Sequence, residues 1–147
     1  MNSLKINYFS QNINYSINDE SKISEWLHLV AKSENFIISE INYIFCDDKF
    51  LYSLNVEYLN HDTFTDVISF NFSEGTGKII GDIYISIERV SENAIKFNKT
   101  MDNELYRVMA HGLLHLLGYS DKTKSEKLVM TKKEDNYLSL LENNKYL

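Results

Sequence analysis

At 147 residues, with 44% hydrophobic and 13% aromatic content, the chain is long enough to bury one sizeable core and too short for two, so a single domain over residues 1–147 is expected. Its formal net charge of −6 argues against a general affinity for nucleic-acid phosphates, and no apolar run approaches the roughly 18 residues that span a bilayer. The opening MNSLKINYFS lacks the basic and apolar regions of a signal peptide, and a single cysteine, Cys46, excludes an intrachain disulfide; a cytoplasmic protein with no membrane partner is the expectation.

In chain order, residues 4–9 (LKINYF) alternate apolar and polar side chains and predict a first strand. Residues 19–32 place Ile23, Trp26, Leu27 and Val30 on one face of a first helix, with Asp19 and Glu20 near its positive end. A β-branched and aromatic run predicts a second strand over residues 41–46, ending in a buried Cys46. Asp47 and Asp48 then cap a second helix whose inward face is Phe50, Leu51, Leu54 and Tyr58, stopping near Asn60. Residues 65–72 (TDVISFNF) and 78–86 (KIIGDIYIS) read as a hairpin around a loop with two glycines. That loop's Gly-Thr-Gly-Lys string lacks the spacing of a phosphate-binding loop. A third helix spans residues 87–98, a fourth carries the histidines described next, and a fifth spans residues 125–143. The order β-α-β-α-β-β-α-α-α predicts an α+β fold, a mixed sheet of about four strands with about five helices. In it the two early crossovers make parallel neighbours and the hairpin an antiparallel pair.

The stretch MAHGLLHLLGYSD, residues 109–121, carries the chemistry. Leu105, Met109, Leu113 and Leu116 form one buried helical face, while Arg107, His111 and His115 fall on another. Residues four apart on a helix have Cβ atoms about 5–6 Å apart, so both imidazoles can reach one ion. Gly118 ends the helix in a conformation open to glycine and lets the chain turn back to present Asp121. Two histidines and one carboxylate, with a fourth position left for water, make a catalytic zinc layout. The same set also suits non-haem iron, although nothing else suggests an oxygenase, and the plain alternative is two ordinary helix histidines with a solvated acid. The spacing resembles the H-E-x-x-H-x-x-G-x-x-H/D motif of metzincin peptidases, but the glutamate that activates water there is Gly112 here, which disfavours a peptidase.

His111-Gly112-Leu113-Leu114-His115-Leu116-Leu117-Gly118-Tyr119 also resembles the H-G-x-L-H-L-x-G-Y-D-H motif of the YbeY family of bacterial rRNA maturation factors, metal-dependent single-strand endoribonucleases. Residues 65–70 match the family's T-D-V-L-S-F strand, Gly81-Asp82-Ile83 its G-D-I strand, and Met130 with Glu134 the M-x-x-x-E of its closing helix. The resemblance implies one zinc held by His111, His115 and Asp121, with Asp121 standing where the family has a third histidine. A carboxylate in that place makes bound water less acidic than three neutral imidazoles would.

It further implies hydrolysis of single-stranded RNA, at the 3′ end of 16S ribosomal RNA, in ribosome biogenesis and quality control, with the small ribosomal subunit as partner. Asp66 is a candidate general base or a partner of a ligand histidine; its structural alternative is a turn acid before the strand. Aligning Asn55 and Tyr58 with the family's N-x-x-Y-R puts Leu59 where an arginine is usual. His61, Arg107 or a lysine of the 122–133 cluster is the candidate replacement. The missing arginine also motivates a second reading, a ribosome-associated binding factor with a structural metal. A third is a metzincin-like hydrolase acting on another substrate.

Overall fold

The computed structural model describes residues 5–60, 65–75 and 77–143. Nine elements follow one another: β1 (Lys5–Gln11), α1 (Glu20–Ser33), β2 (Ile37–Cys46), α2 (Asp48–Leu59), β3 (Val67–Asn71), β4 (Lys78–Ser86), α3 (Ile87–Lys96), α4 (Met101–Leu116) and α5 (Lys124–Glu142). Their order is the one expected. Each helix starts where a side chain accepts a backbone N–H of its first turn: Asp19, Asp47, Ser86, Thr100 and Thr123 for α1 to α5 in turn. At α5 Thr123 and Glu126 bond each other's backbone in a reciprocal capping box. β2 begins earlier than expected, at Ile37, because its first residues pair with Lys78 and Ile79 of β4 around an irregularity at Ser39.

The sheet order is β1-β2-β4-β3, with β1/β2 and β2/β4 parallel and β3/β4 antiparallel. This corrects one expectation. The first crossover does join parallel neighbours, but the second does not, since β4 lies between β2 and β3. The physical reason lies in the strands: β4 alternates buried residues at Ile79, Gly81, Ile83 and Ile85 and suits a central position. β3 is short, with Ser69 and Asn71 facing the helices, and suits an edge.

One face of the sheet, Ile41, Tyr43, Phe45, Ile83 and Ile85, packs against α1 and α4 in the main core, where Leu105, Met109, Leu113 and Leu116 of α4 are buried. A smaller cluster under α2 holds Cys46, Leu51 and Ile68. Two buried polar groups tie elements across that core: Trp26 Nε1 of α1 donates to the Tyr137 carbonyl of α5 at 2.8 Å, and the Tyr43 hydroxyl of β2 to the Met109 carbonyl of α4 at 2.9 Å. Gly112 brings α4 close to the hairpin. A Cβ there would stand 2.7 Å from Ile83 Cγ2 and 3.2 Å from both Ser69 Oγ and Val67 Cγ2. No helix among the described residues is long and apolar enough to cross a membrane.

Candidate metal centre

Where the leucine face of α4 is buried, the opposite face opens into a cleft of about 580 Å3 between α2, β3 and the turn after α4. His111, His115 and Asp121 line it together with Asn55, Leu59 and Asp66. Gly118 has φ +107°, and the Tyr119 N–H returns to the Leu114 carbonyl at 3.0 Å, closing the helix and turning Asp121 toward the imidazoles. The two Nε2 atoms are 2.9 Å apart, and Asp121 Oδ2 lies 3.1 Å from His111 Nε2 and 3.5 Å from His115 Nε2.

The tautomers follow from the other ring nitrogens. His115 Nδ1 lies 2.9 Å from the Tyr119 carbonyl, which can only accept, so Nδ1 carries the proton. His111 Nδ1 likewise donates to the Glu134 carboxylate at 2.6 Å. Both neutral rings then turn Nε2 lone pairs toward one point, where the Asp121 carboxylate adds a third acceptor. Three acceptors converging in this way repel unless a cation or proton lies among them. Around a tetrahedral zinc with bonds of about 2.0–2.1 Å, donor atoms stand about 3.3 Å apart, which the three separations bracket. The donor set fits a metal ion.

The surroundings hold this arrangement. Glu134 is buried and also accepts from Arg107 at 2.7 Å, while Asp135 takes the other arm of that guanidinium at 2.5 Å. Arg107 therefore braces Glu134 rather than replacing an arginine in the cleft, and no lysine among the described residues lines the cleft. Tyr119 donates its hydroxyl to Glu34 at 2.6 Å, and Glu34 also accepts from Tyr137 and from Lys133, the latter at 3.0 Å. This anchor steadies the carbonyl that orients His115. Burial pushes the His111 imidazolium down, but the bond to Glu134 and the charges of Glu134, Asp121 and Asp66 outweigh it, and its pKa rises above 6.5. Asp66 sits just before β3 and lines the cleft, its Oδ2 accepting from Asn93 Nδ2 at 3.4 Å; burial raises its proton affinity, partly offset by His111.

His111, His115, Asp121 and Asp66 thus meet in one cleft, and Leu59 forms part of its wall. His61 lies outside the described residues. Sequence reasoning did not find that Glu134 orients His111, although an acid on the stripe of Met130, Tyr137 and Leu141 was a signal; nor did it find the Tyr119 carbonyl as partner of His115.

Comparison with known proteins agrees with this geometry. The model of the endoribonuclease YbeY family matches residues 5–142. The chain belongs to that family. A relative named endoribonuclease YbeY from Cytophaga hutchinsonii is 50% identical over 133 residues, covering 90% of this chain and 93% of its own. Another of that name from Flavobacterium psychrophilum is 52% identical over 132 residues, covering 90% and 94%. A Thermotoga maritima protein of known solution structure is 29% identical, with a TM-score of 0.61 over 95% of this chain and 91% of its own. The α+β fold expected from the order of the elements is thereby borne out.

Proposed function

We propose that this protein is a zinc-dependent endoribonuclease that hydrolyses single-stranded RNA, acting on the 3′ end of 16S ribosomal RNA during small-subunit maturation and quality control. The observation that carries this reading is the convergence of His111 Nε2, His115 Nε2 and Asp121 Oδ2 at the floor of a cleft, in a chain of an endoribonuclease family. These three residues would hold the ion, which when bound supplies positive charge to polarise a phosphoryl oxygen and acidify water.

The protein's own groups do the rest. Glu134 and the Tyr119 carbonyl fix the tautomers, so that both Nε2 atoms remain donors of electron pairs. With the second nitrogen of each ligand histidine already paired, Asp66 is left to act on the substrate side. Its raised proton affinity suits a general base taking the proton of the attacking oxygen. Asn55, Thr65 and Ser69 give the cleft polar walls for a sugar-phosphate chain.

Leu59 favours a second reading. It lines the cleft without charge where the family usually has an arginine, which supports a subunit-binding factor with a structural metal and little turnover. Cleavage of a single-stranded fragment from the 3′ end of 16S ribosomal RNA separates the two. Chelator-sensitive cutting that is lost in His115→Ala and enhanced in Leu59→Arg is the expected result. Stoichiometric metal and subunit binding with the RNA left intact would replace the enzyme by the binding factor.

A further inference from the structure

A cleft of about 580 Å3 has the size of a small-molecule site, so an RNA strand bound in it overhangs its rim. What lies beyond the rim on the β3 side is aromatic. Along β3, Ser69 and Asn71 face α4, donating to the Gly112 and Leu116 carbonyls, so the alternate residues Ile68 and Phe70 face the other side of the sheet. Ile68 still belongs to the cleft wall. Two residues on, the Phe70 ring meets Tyr58 edge-on at 6.0 Å and Tyr84 at 5.8 Å, and Tyr84 meets Phe50 at 6.0 Å.

Tyr58 directly precedes the cleft residue Leu59 and is 61% exposed; Phe72, bonded through its N–H to the Ile80 carbonyl, is 55% exposed. Phe50, Phe70 and Tyr84 belong to the cluster under α2, and Tyr58 and Phe72 are the exposed aromatic residues beside it. The Tyr58 and Phe70 rings stand nearly perpendicular, at 84°, so Tyr58 is in contact with the cluster while most of its surface is exposed.

We infer that Tyr58 and Phe72 form a stacking platform for unpaired bases of the RNA strand where it leaves the catalytic cleft. Base–aromatic stacking needs no phosphate neutralisation and tolerates any base. That suits a chain of net charge −6 with Leu59 rather than a cation at the rim. A platform of this kind admits single strands and rejects duplex, whose bases are already stacked. The inference rests on the RNA-cleavage reading above for the occupant of the cleft.

The test uses the metal-loaded full chain and two fluorescently labelled single-stranded oligonucleotides made non-cleavable by methylphosphonate linkages. One is only as long as the cleft and the other overhangs it. For the Tyr58→Ala/Phe72→Ala double variant, the dissociation constant of the long strand should rise at least about tenfold, the factor for losing one stack. The short strand should bind as before, and Tyr58→Phe should match the parent chain. KM for a cleavable long strand should rise in parallel while kcat holds. Equal affinity of parent and double variant for the long strand overturns the platform, as does an equal loss for both strands. Loss of ribosomal-subunit association alone, with RNA affinity intact, overturns it in favour of a protein partner. Because affinity is read on non-cleavable strands, an uncut substrate in the parallel assay refutes the nuclease reading without touching the platform.

Discussion

His111 and His115 each donate one ring nitrogen to an acceptor and leave the other facing Asp121, so the acceptors should matter almost as much as the ligands. Glu134→Gln keeps the shape but removes the charge and offers an amide that can only poorly orient His111. Metal affinity should fall about 10–100-fold in a competition titration with a chromophoric chelator. The same carboxylate raises the proton affinity of His111, so protons compete with metal at that nitrogen. Apparent affinity should therefore begin to fall above pH 6.5 as the medium is acidified, and Glu134→Gln should move the onset to lower pH.

At Glu34, burial opposes the charge, but bonds from Tyr119, Tyr137 and Lys133 hold the carboxyl below its usual 4.5. A depressed carboxyl contributes stability that is present above its unfolded value and lost as pH falls through the folded one. Glu34→Gln should accordingly lower stability by about 1.5–3 kcal/mol at pH 7. The gap to the parent in thermal melts should narrow steadily below pH 4.5.

At the level of elements, the seat of α4 on the hairpin depends on two glycines. Gly81 has no room for a side chain: a Cβ would stand 2.6 Å from the Phe70 carbonyl and 2.9 Å from Leu116 Cδ1. The first of these is backbone and cannot yield without distorting β3. Gly112 presses on Ile83 from the helix side, at the position where the metzincin motif carries its glutamate. A longer side chain there would lift α4 from the sheet, so the absence of that base follows from packing as well as from chemistry. Gly81→Ala should cost about 1–3 kcal/mol, a fall in melting temperature of about 2–4 °C for each, and Gly112→Ala should lie at the lower end because methyl groups can shift. Circular-dichroism melts of the metal-free chain measure both.

Across the whole molecule, the site joins segments distant in sequence: candidate metal donors from α4 and its turn, an orienting acid from α5, and cleft walls from α2 and β3. A metal that binds only this assembled form stabilises it by mass action, by about 4 kcal/mol when free metal is about 1,000 times its dissociation constant. Stripping the chain with a chelator should lower its melting temperature by about 8–16 °C, and His115→Ala should abolish the difference between loaded and stripped protein. An unchanged melting temperature on stripping would mean that the three acceptors hold no ion.

Periodicity, with the capping Asp pair before α2, made the nine elements readable, because an apolar stripe and a cap act within one or two turns of chain, whereas the caps at Ser86, Thr100 and Thr123 came only from the structure. The candidate donor set was readable for the same reason: His111, His115 and Asp121 lie within eleven residues, and one helix with its glycine turn brings them together. Strand order was not readable past the first crossover. Whether β3 or β4 sits beside β2 is decided by which strand packs best between two neighbours, a comparison of long-range packings that no local pattern encodes. Nor could spacing show that Glu134, nineteen residues after His115, reaches back to His111, or that Arg107 turns away from the cleft to brace it. Those pairings depend on the angle at which α5 crosses α4, which the core of Trp26, Tyr137 and Leu141 decides only once the chain has folded.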